Sequence, residues 1–201
     1  MLFYCLNLHS QDSNTLSETS NPIIYISTSL GTSIGNKGYG GGFLFTTSVN
    51  YQMSKNLFLY RFSHNAEFNK NPGIAALLIV PIFLGDNIMN EHALMYGRRF
   101  VFNNSSVSTS VGFGLSNRNY TEFYDNNSKF ITESYVSIPF EINFRLFQSR
   151  KKKFRILYGL IPVTRPTGFA RSFGLKLYGS LGKFNYFGVG LNFGLGWHKK
   201  Y

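Results

Sequence analysis

Cysteine is nearly absent. Cys5 is the single one in 201 residues, which excludes a disulfide framework and any cysteine-rich metal site. Acid is scarce too: nine Asp and Glu stand against 20 Lys and Arg, charged residues make up 14%, and the formal net charge is +11. A basic balance of that size points first to nucleic acid, but no groove-reading helix or recognition motif accompanies it, so no nucleic-acid partner is expected. No apolar run is long enough for a membrane helix. The longest, Ile74 to Leu84 (IAALLIVPIFL), contains Pro81 and falls short of the ~20 residues a spanning helix needs. Histidines number four, and no Ser, His and acid form a catalytic constellation. In the fragment Ser63-His64-Asn65 adjacent strand positions face opposite ways, so Ser63 and His64 cannot pair as nucleophile and base. The glycine-rich stretches open no helix, which removes the nucleotide-loop reading, and no cofactor is expected.

What is present is aromatic residue, at 17%, and glycine, at 20 copies. Their placement carries the argument. From Phe187 to Trp197 (FGVGLNFGLGW) every odd position is large and apolar, and every even position is Gly or Asn. A strand sends alternate side chains to opposite faces, so one face is greasy and the other almost empty. The solvated face of a soluble sheet carries charge and Thr; an empty face fits the crowded bore of a narrow barrel. The same alternation recurs in Val107 to Ser116, in Tyr135 to Leu146, and less purely after Pro22, in Gly42 to Tyr51, Phe58 to Ser63, Glu91 to Phe102 and Ser172 to Tyr178. Pro139 in the Tyr135 to Leu146 strand predicts a bulge. These patterns predict an all-β, eight-stranded antiparallel up-and-down transmembrane β-barrel, with lipid outside and small or polar residues inside.

Connections alternate between short (Ser54 to Leu57, Asn103 to Ser106) and long (Asn69 to Asn90, Asn117 to Lys129), the rhythm of short periplasmic turns and long external loops. Gln148 to Gly168 departs from it, with a strand extension expected within Phe154 to Ile161. The basic run Arg150 to Lys153 reads as a solvated turn or as a contact for phosphate-bearing lipid head groups. The apolar loop within 69–90 reads as a cap over the barrel mouth, ahead of a short interfacial segment or a strand extending above the membrane, and as a site for an extracellular ligand. Residues 1–21 read as a signal-peptide remnant and flexible lead-in, with Cys5 as a candidate lipid attachment site, and residues 22–201 as the barrel domain.

The stretches Tyr96 to Phe100 (YGRRF), Ile138 to Ile142 (IPFEI) and YGSLGKFNYFGVGLNFGLGW near the end resemble the small outer-membrane β-barrel family, OmpA-membrane-domain-like, as common in Bacteroidota. The resemblance implies a bacterial outer-membrane location and outer-membrane lipid as a partner. It also implies a last strand read by the barrel-assembly machinery, here through Phe193, Leu195, Trp197 and Tyr201. Inside such a bore charges must be neutralised, so Arg61, Arg145 and Lys176 are expected to face Glu141 and Glu91 as a lumen polar network, structural or lining a narrow gated ion path. A filled bore of this size is no general diffusion pore. A structural or surface-interaction role is therefore expected, without catalysis. A soluble lipocalin-like small-ligand carrier is the first alternative and an outer-membrane lipid-modifying enzyme the second.

Overall fold

The computed structural model describes residues 22–36, 41–67, 87–124, 127–156 and 161–201. The expectations for residues 1–21 and for the apolar run 74–84 lie outside the described residues. Ten strands follow in chain order: β1 (Ile23–Gly35), β2 (Gly42–Met53), β3 (Asn56–Glu67), β4 (Asn87–Val101), β5 (Ser105–Tyr124), β6 (Asn127–Phe147), β7 (Lys152–Ile156), β8 (Ile161–Thr167), β9 (Phe169–Leu181) and β10 (Tyr186–Trp197). Eight of them close an antiparallel barrel in the order β1-β10-β9-β6-β5-β4-β3-β2, and β7 and β8 form a separate two-stranded ribbon.

Closure is made by β1 on β10, where Leu30 meets Leu191 and Ile26 meets Leu195 on the outer face while Gly31 meets Gly190 within. Period-two alternation governs the whole wall. Phe113 is 76% exposed and Leu94 71%, and Ile34, Phe58, Ile142, Leu175 and Phe193 also face outward. The inner positions of the same strands are mostly buried Ser, Asn, Gly and charged side chains, with two small apolar clusters, Leu44, Met89, Tyr178 and Tyr186, and Leu57, Leu59, Ala93 and Met95, among them. This distribution is the reverse of a lipocalin-like carrier, whose apolar face lines the cavity.

The barrel has two mouths. At the near mouth β1 begins and β10 finishes, and β2 turns into β3 through Ser54 and Lys55, with Ser54 at a φ of 56°. The β4–β5 turn and the β7–β8 ribbon lie at this end as well.

Four expectations are corrected. The stretch Asn117 to Lys129 is not a loop: β5 and β6 run through most of it, paired as far as Tyr124 and Asn127. On its other side β6 meets β9 only from Ile138 onward, so the outer part of this hairpin projects past the far mouth. The connection after β3 ends sooner than Asn90, because residues 87–90 already pair in β4, Asn90 with His64 and with Asn117. Pro139 makes no bulge. The β5–β6 pairing skips from Val111↔Phe140 to Gly114↔Ser137 without changing register, because a missing N–H interrupts the ladder but inserts no residue. Within Gln148 to Gly168 no barrel strand is extended. Pro162 and Pro166 belong to β8, whose ribbon has a free edge where the missing donors are tolerated.

Candidate functional site

The lumen is filled by a rule visible in the register. Three of the large charged side chains have small neighbours on both adjoining strands: Arg61 lies between Ser48 and Ala93, Glu91 between Ser63 and Ser116, Arg145 between Ser106 and Gly174; Glu141 has Ser110 on one side and Tyr178 on the other. Lys176 lies between Asn143 and Gly190. A narrow bore has room for one long side chain per neighbourhood, which is the physical reason for the Gly and Ser faces. At Gly31, Gly112 and Gly174 a Cβ would collide with the backbone of the adjoining strand.

At mid-lumen four charges join. Arg61 Nη2 donates to Glu91 Oε1 at 2.7 Å and Nη1 to Glu141 Oε2 at 3.4 Å, while Lys176 Nζ donates to the same Glu141 oxygen at 3.2 Å. Glu91 also accepts from Ser137 Oγ at 2.8 Å, Tyr186 OH at 3.1 Å and Ser180 Oγ. Arg61 is 0% exposed, Glu91 1% and Glu141 2%. Two cations and two carboxylates cancel, and most donors and acceptors are taken. That is the condition under which buried charge is tolerated in a low-dielectric bore.

Toward the near mouth the character changes. Arg145 does not join the carboxylates through a hydrogen bond; its Nη1 donates to Ser172 Oγ at 3.2 Å and its guanidinium lies 4.5 Å from the centre of the Tyr25 ring. Arg99 lies over the same ring at 5.0 Å and over Phe147 at 5.6 Å, donating to Gln52 Oε1 at 2.7 Å, to the His198 carbonyl at 2.8 Å and to Ser106 Oγ at 3.1 Å. His198 packs on Tyr25 and Phe147 at 4.9 and 5.6 Å, and its Nε2 donates to the Ala170 carbonyl at 3.1 Å. Burial, and then Arg145 and Arg99, push this imidazole down to about 3, so it is neutral and its Nδ1 carries a bare lone pair. The segment after β10 folds over this end. Lys199 Nζ donates to the Asn103 carbonyl at 3.0 Å and Tyr201 OH to the Gln148 carbonyl at 2.8 Å.

At the far mouth Arg118 lies 4.1 Å from the Phe184 ring centre and donates to Asn87 Oδ1 at 2.9 Å. The projecting hairpin is pinned by Lys183 Nζ to Glu133 Oε2 at 2.6 Å, and Tyr120 OH donates to the other Glu133 oxygen at 3.2 Å. The Lys183 hydrogen bond holds the Glu133 carboxyl below its ordinary range.

Of the residues expected in the lumen, Arg61, Glu91, Glu141 and Lys176 are joined by hydrogen bonds, and Arg145 makes none to them but lies within electrostatic reach of Glu141. Of those anticipated as a terminal signal, Phe193 and Leu195 are exposed on the lipid-type face, Trp197 packs edge-on against Phe169 at 5.1 Å, and Tyr201 lies beyond the strand. Arg99, Tyr25 and His198 were not anticipated as a group. Arg99 sits on the inward parity of its strand, but nothing local links β4 to residues that follow β10. Ser63 and His64 make no hydrogen bond to each other; His64 Nδ1 pairs with Asn90 Oδ1 at 2.7 Å. Among the described residues no group of three or more His, Cys, Asp and Glu is placed to hold a metal.

These features define a class: closed eight-stranded antiparallel barrels with an apolar exterior and a lumen filled by side chains, most of them polar. In fold the chain is similar to Neisserial surface protein A, with a TM-score of 0.54 and 7% identity over 89% of this chain and 99% of that one. It is also similar to Ail, the attachment invasion locus protein of Yersinia pestis (TM-score 0.49, 13% identity, 86% and 96% covered). A third likeness is the N-terminal β-barrel domain of Pseudomonas aeruginosa OprF (TM-score 0.44, 12% identity, 87% and 98% covered). At these identities the likeness is one of fold. No protein-family model matches the chain, and no curated protein matches it in sequence.

Proposed function

We propose that the chain is a bacterial outer-membrane barrel with a structural or surface-interaction role, inserted by the barrel-assembly machinery through Phe193, Leu195, Trp197 and Tyr201, and neither a general diffusion pore nor an enzyme. The observation that carries this reading is the inside-out wall. Aliphatic and aromatic side chains stand exposed on all eight barrel strands, while Arg61, Glu91, Glu141 and Lys176 close the bore. Exposed apolar area on that scale is stable only against acyl chains. The YGRRF and IPFEI stretches support a source among Bacteroidota-type barrels. The interaction role is favoured by the projecting β5–β6 hairpin, whose β6 edge pairs with no strand before Ile138 among the described residues, an edge suited to a partner strand.

Membrane fractionation followed by a gel of unheated and boiled samples tests the reading. The chain should pellet with the outer membrane and migrate faster unheated, and planar bilayers holding it should show no porin-sized conductance. A soluble, heat-indifferent chain, or steady large conductance, would overturn the proposal.

A further inference from the structure

In the described lumen, buried cations gather without a hydrogen-bonded carboxylate at one place, the near-mouth cluster. Arg99 and Arg145 are each 1% exposed and His198 is 0% exposed. Glu91 and Glu141 are hydrogen-bonded to Arg61 and Lys176 deeper in the bore. Arg99 Nε and Nη1 are bound to Ser106, Gln52 and the His198 carbonyl, Arg145 Nη1 to Ser172 and His198 Nε2 to the Ala170 carbonyl, while Arg99 Nη2, Arg145 Nη2 and His198 Nδ1 remain without a protein partner. The three groups are close neighbours. All pack on the Tyr25 ring at 5.0, 4.5 and 4.9 Å, and Arg145 Nη1, Ser172 Oγ and His198 Cε1 all crowd the position that a Cβ on Gly194 would take.

Buried guanidinium groups without a hydrogen-bonded carboxylate are unfavourable, Arg145 having only the longer-range attraction of Glu141, and orphaned buried donors call for a partner that the chain does not supply. We propose that this cluster binds a phosphate-type oxyanion at the near mouth. Two guanidinium groups offer N–H donors suited to oxyanions, and a neutral imidazole Nδ1 accepts from the P–OH of a protonated phosphate. The surroundings select the same sign of ligand. Exposed Lys55, Arg98, Lys151, Arg171 and Lys200 stand at this end, with no Asp or Glu among its described residues, so the mouth concentrates anions ahead of the site. The phosphate comes either from solution or from a lipid head group. The inference goes beyond the surface-interaction reading and requires only a folded barrel.

The test uses the full chain folded in non-ionic detergent, reading the temperature at which the compact gel band is lost. Inorganic phosphate is compared with sodium chloride at equal ionic strength, and phosphatidylglycerol mixed into the micelles with phosphatidylcholine. A saturable rise with at least one phosphate source is expected. A response to inorganic phosphate identifies a free ion, and a response confined to phosphatidylglycerol identifies a head group. Arg145→Gln should raise the half-saturating concentration at least tenfold, and Arg145→Lys should recover part of it. If Arg145→Gln does not fold, ³¹P line broadening by the native chain and its weakening in His198→Gln decide the matter. Superimposable phosphate and chloride curves in the native chain, or a phosphate response unchanged in the variants, would sink the site. A heat-modifiable chain without a phosphate response keeps the barrel and loses only the anion.

Discussion

Glu91 shows how much a single lumen residue holds. Its carboxylate accepts from Arg61, Ser137, Tyr186 and Ser180, so removing it leaves a fully buried guanidinium with its other carboxylate contact at 3.4 Å. Breaking a buried pair from one side costs about 3–5 kcal/mol. Glu91→Ala is therefore expected to lower barrel stability by about that amount, measured as the urea midpoint of the compact band in detergent. The control is Glu133→Ala, whose carboxylate sits at the rim beside an exposed lysine. An exposed, solvent-screened pair of that kind contributes little, so equal losses in the two variants would contradict the account of the lumen. At this scale the sequence was informative wherever parity sufficed. Arg61, Glu91, Glu141 and Lys176 lie on the faces opposite the exposed apolar ones, and only the inside of a closed wall can accept charge there. It was silent on which charges meet. Arg145 shares parity with Glu141 four residues away, yet it reaches Tyr25 and Ser172, because β1 and β9 approach it only once the barrel has closed.

Among the elements, the strands were legible where lipid-type contact imposes strict alternation and illegible where it does not. Beyond the far mouth a strand needs no apolar face, so 117–129 reads as a polar loop although β5 and β6 continue through most of it. The same holds for β7 and β8, a basic ribbon outside the wall. The projecting hairpin depends on a local clasp. Lys183 lies in the β9–β10 turn and Glu133 in the extension of β6. The Glu133 carboxyl is held below its ordinary range by that lysine. A lowered carboxylate pKa means that the stabilisation is fully present above the unfolded-state value and is lost as pH falls through the folded-state value. Acidification from neutral pH to below the ordinary carboxylate range should therefore loosen the hairpin while the barrel stays closed. Amide exchange should quicken across 128–136 at low pH, after correction for the intrinsic rate. In Lys183→Gln the acid-dependent part should vanish, because exchange there is already fast at neutral pH. Equal acid sensitivity in that variant would show that the clasp does not hold the hairpin.

Across the whole molecule the charge is sorted by end. Among described residues the far mouth is balanced, Arg118, Lys129 and Lys183 against Glu67, Glu122 and Glu133, and the mid-lumen quartet is neutral. The near mouth holds the run Arg150 to Lys153 together with Lys55, Arg98, Arg165, Arg171, Lys199 and Lys200, and no described acid. Carrying that end through a hydrocarbon layer costs far more than carrying the other, since a Lys or Arg at mid-bilayer costs about 2–4 kcal/mol. A barrel that inserts from one side should thus lead with the far mouth and leave the near mouth behind. The exposed bases of that end would then rest against the head groups of the entry leaflet, each worth about 1 kcal/mol on an anionic surface at low salt. Spontaneous refolding into sealed vesicles tests the direction. Trypsin added outside should cut at 150–153 and spare Lys129 and Lys183. Phosphatidylglycerol in the vesicles should speed insertion at low salt, an effect weakened by salt and by the triple change Lys151→Gln, Lys152→Gln and Lys153→Gln. Cleavage confined to Lys129 and Lys183, with the basic ribbon protected, would mean that the charged end had crossed first and that charge polarity does not set the orientation. In a cell where insertion begins in the periplasm, the same ordering keeps the ribbon, the short turns and the anion-seeking mouth on the periplasmic face and presents the β5–β6 hairpin outward.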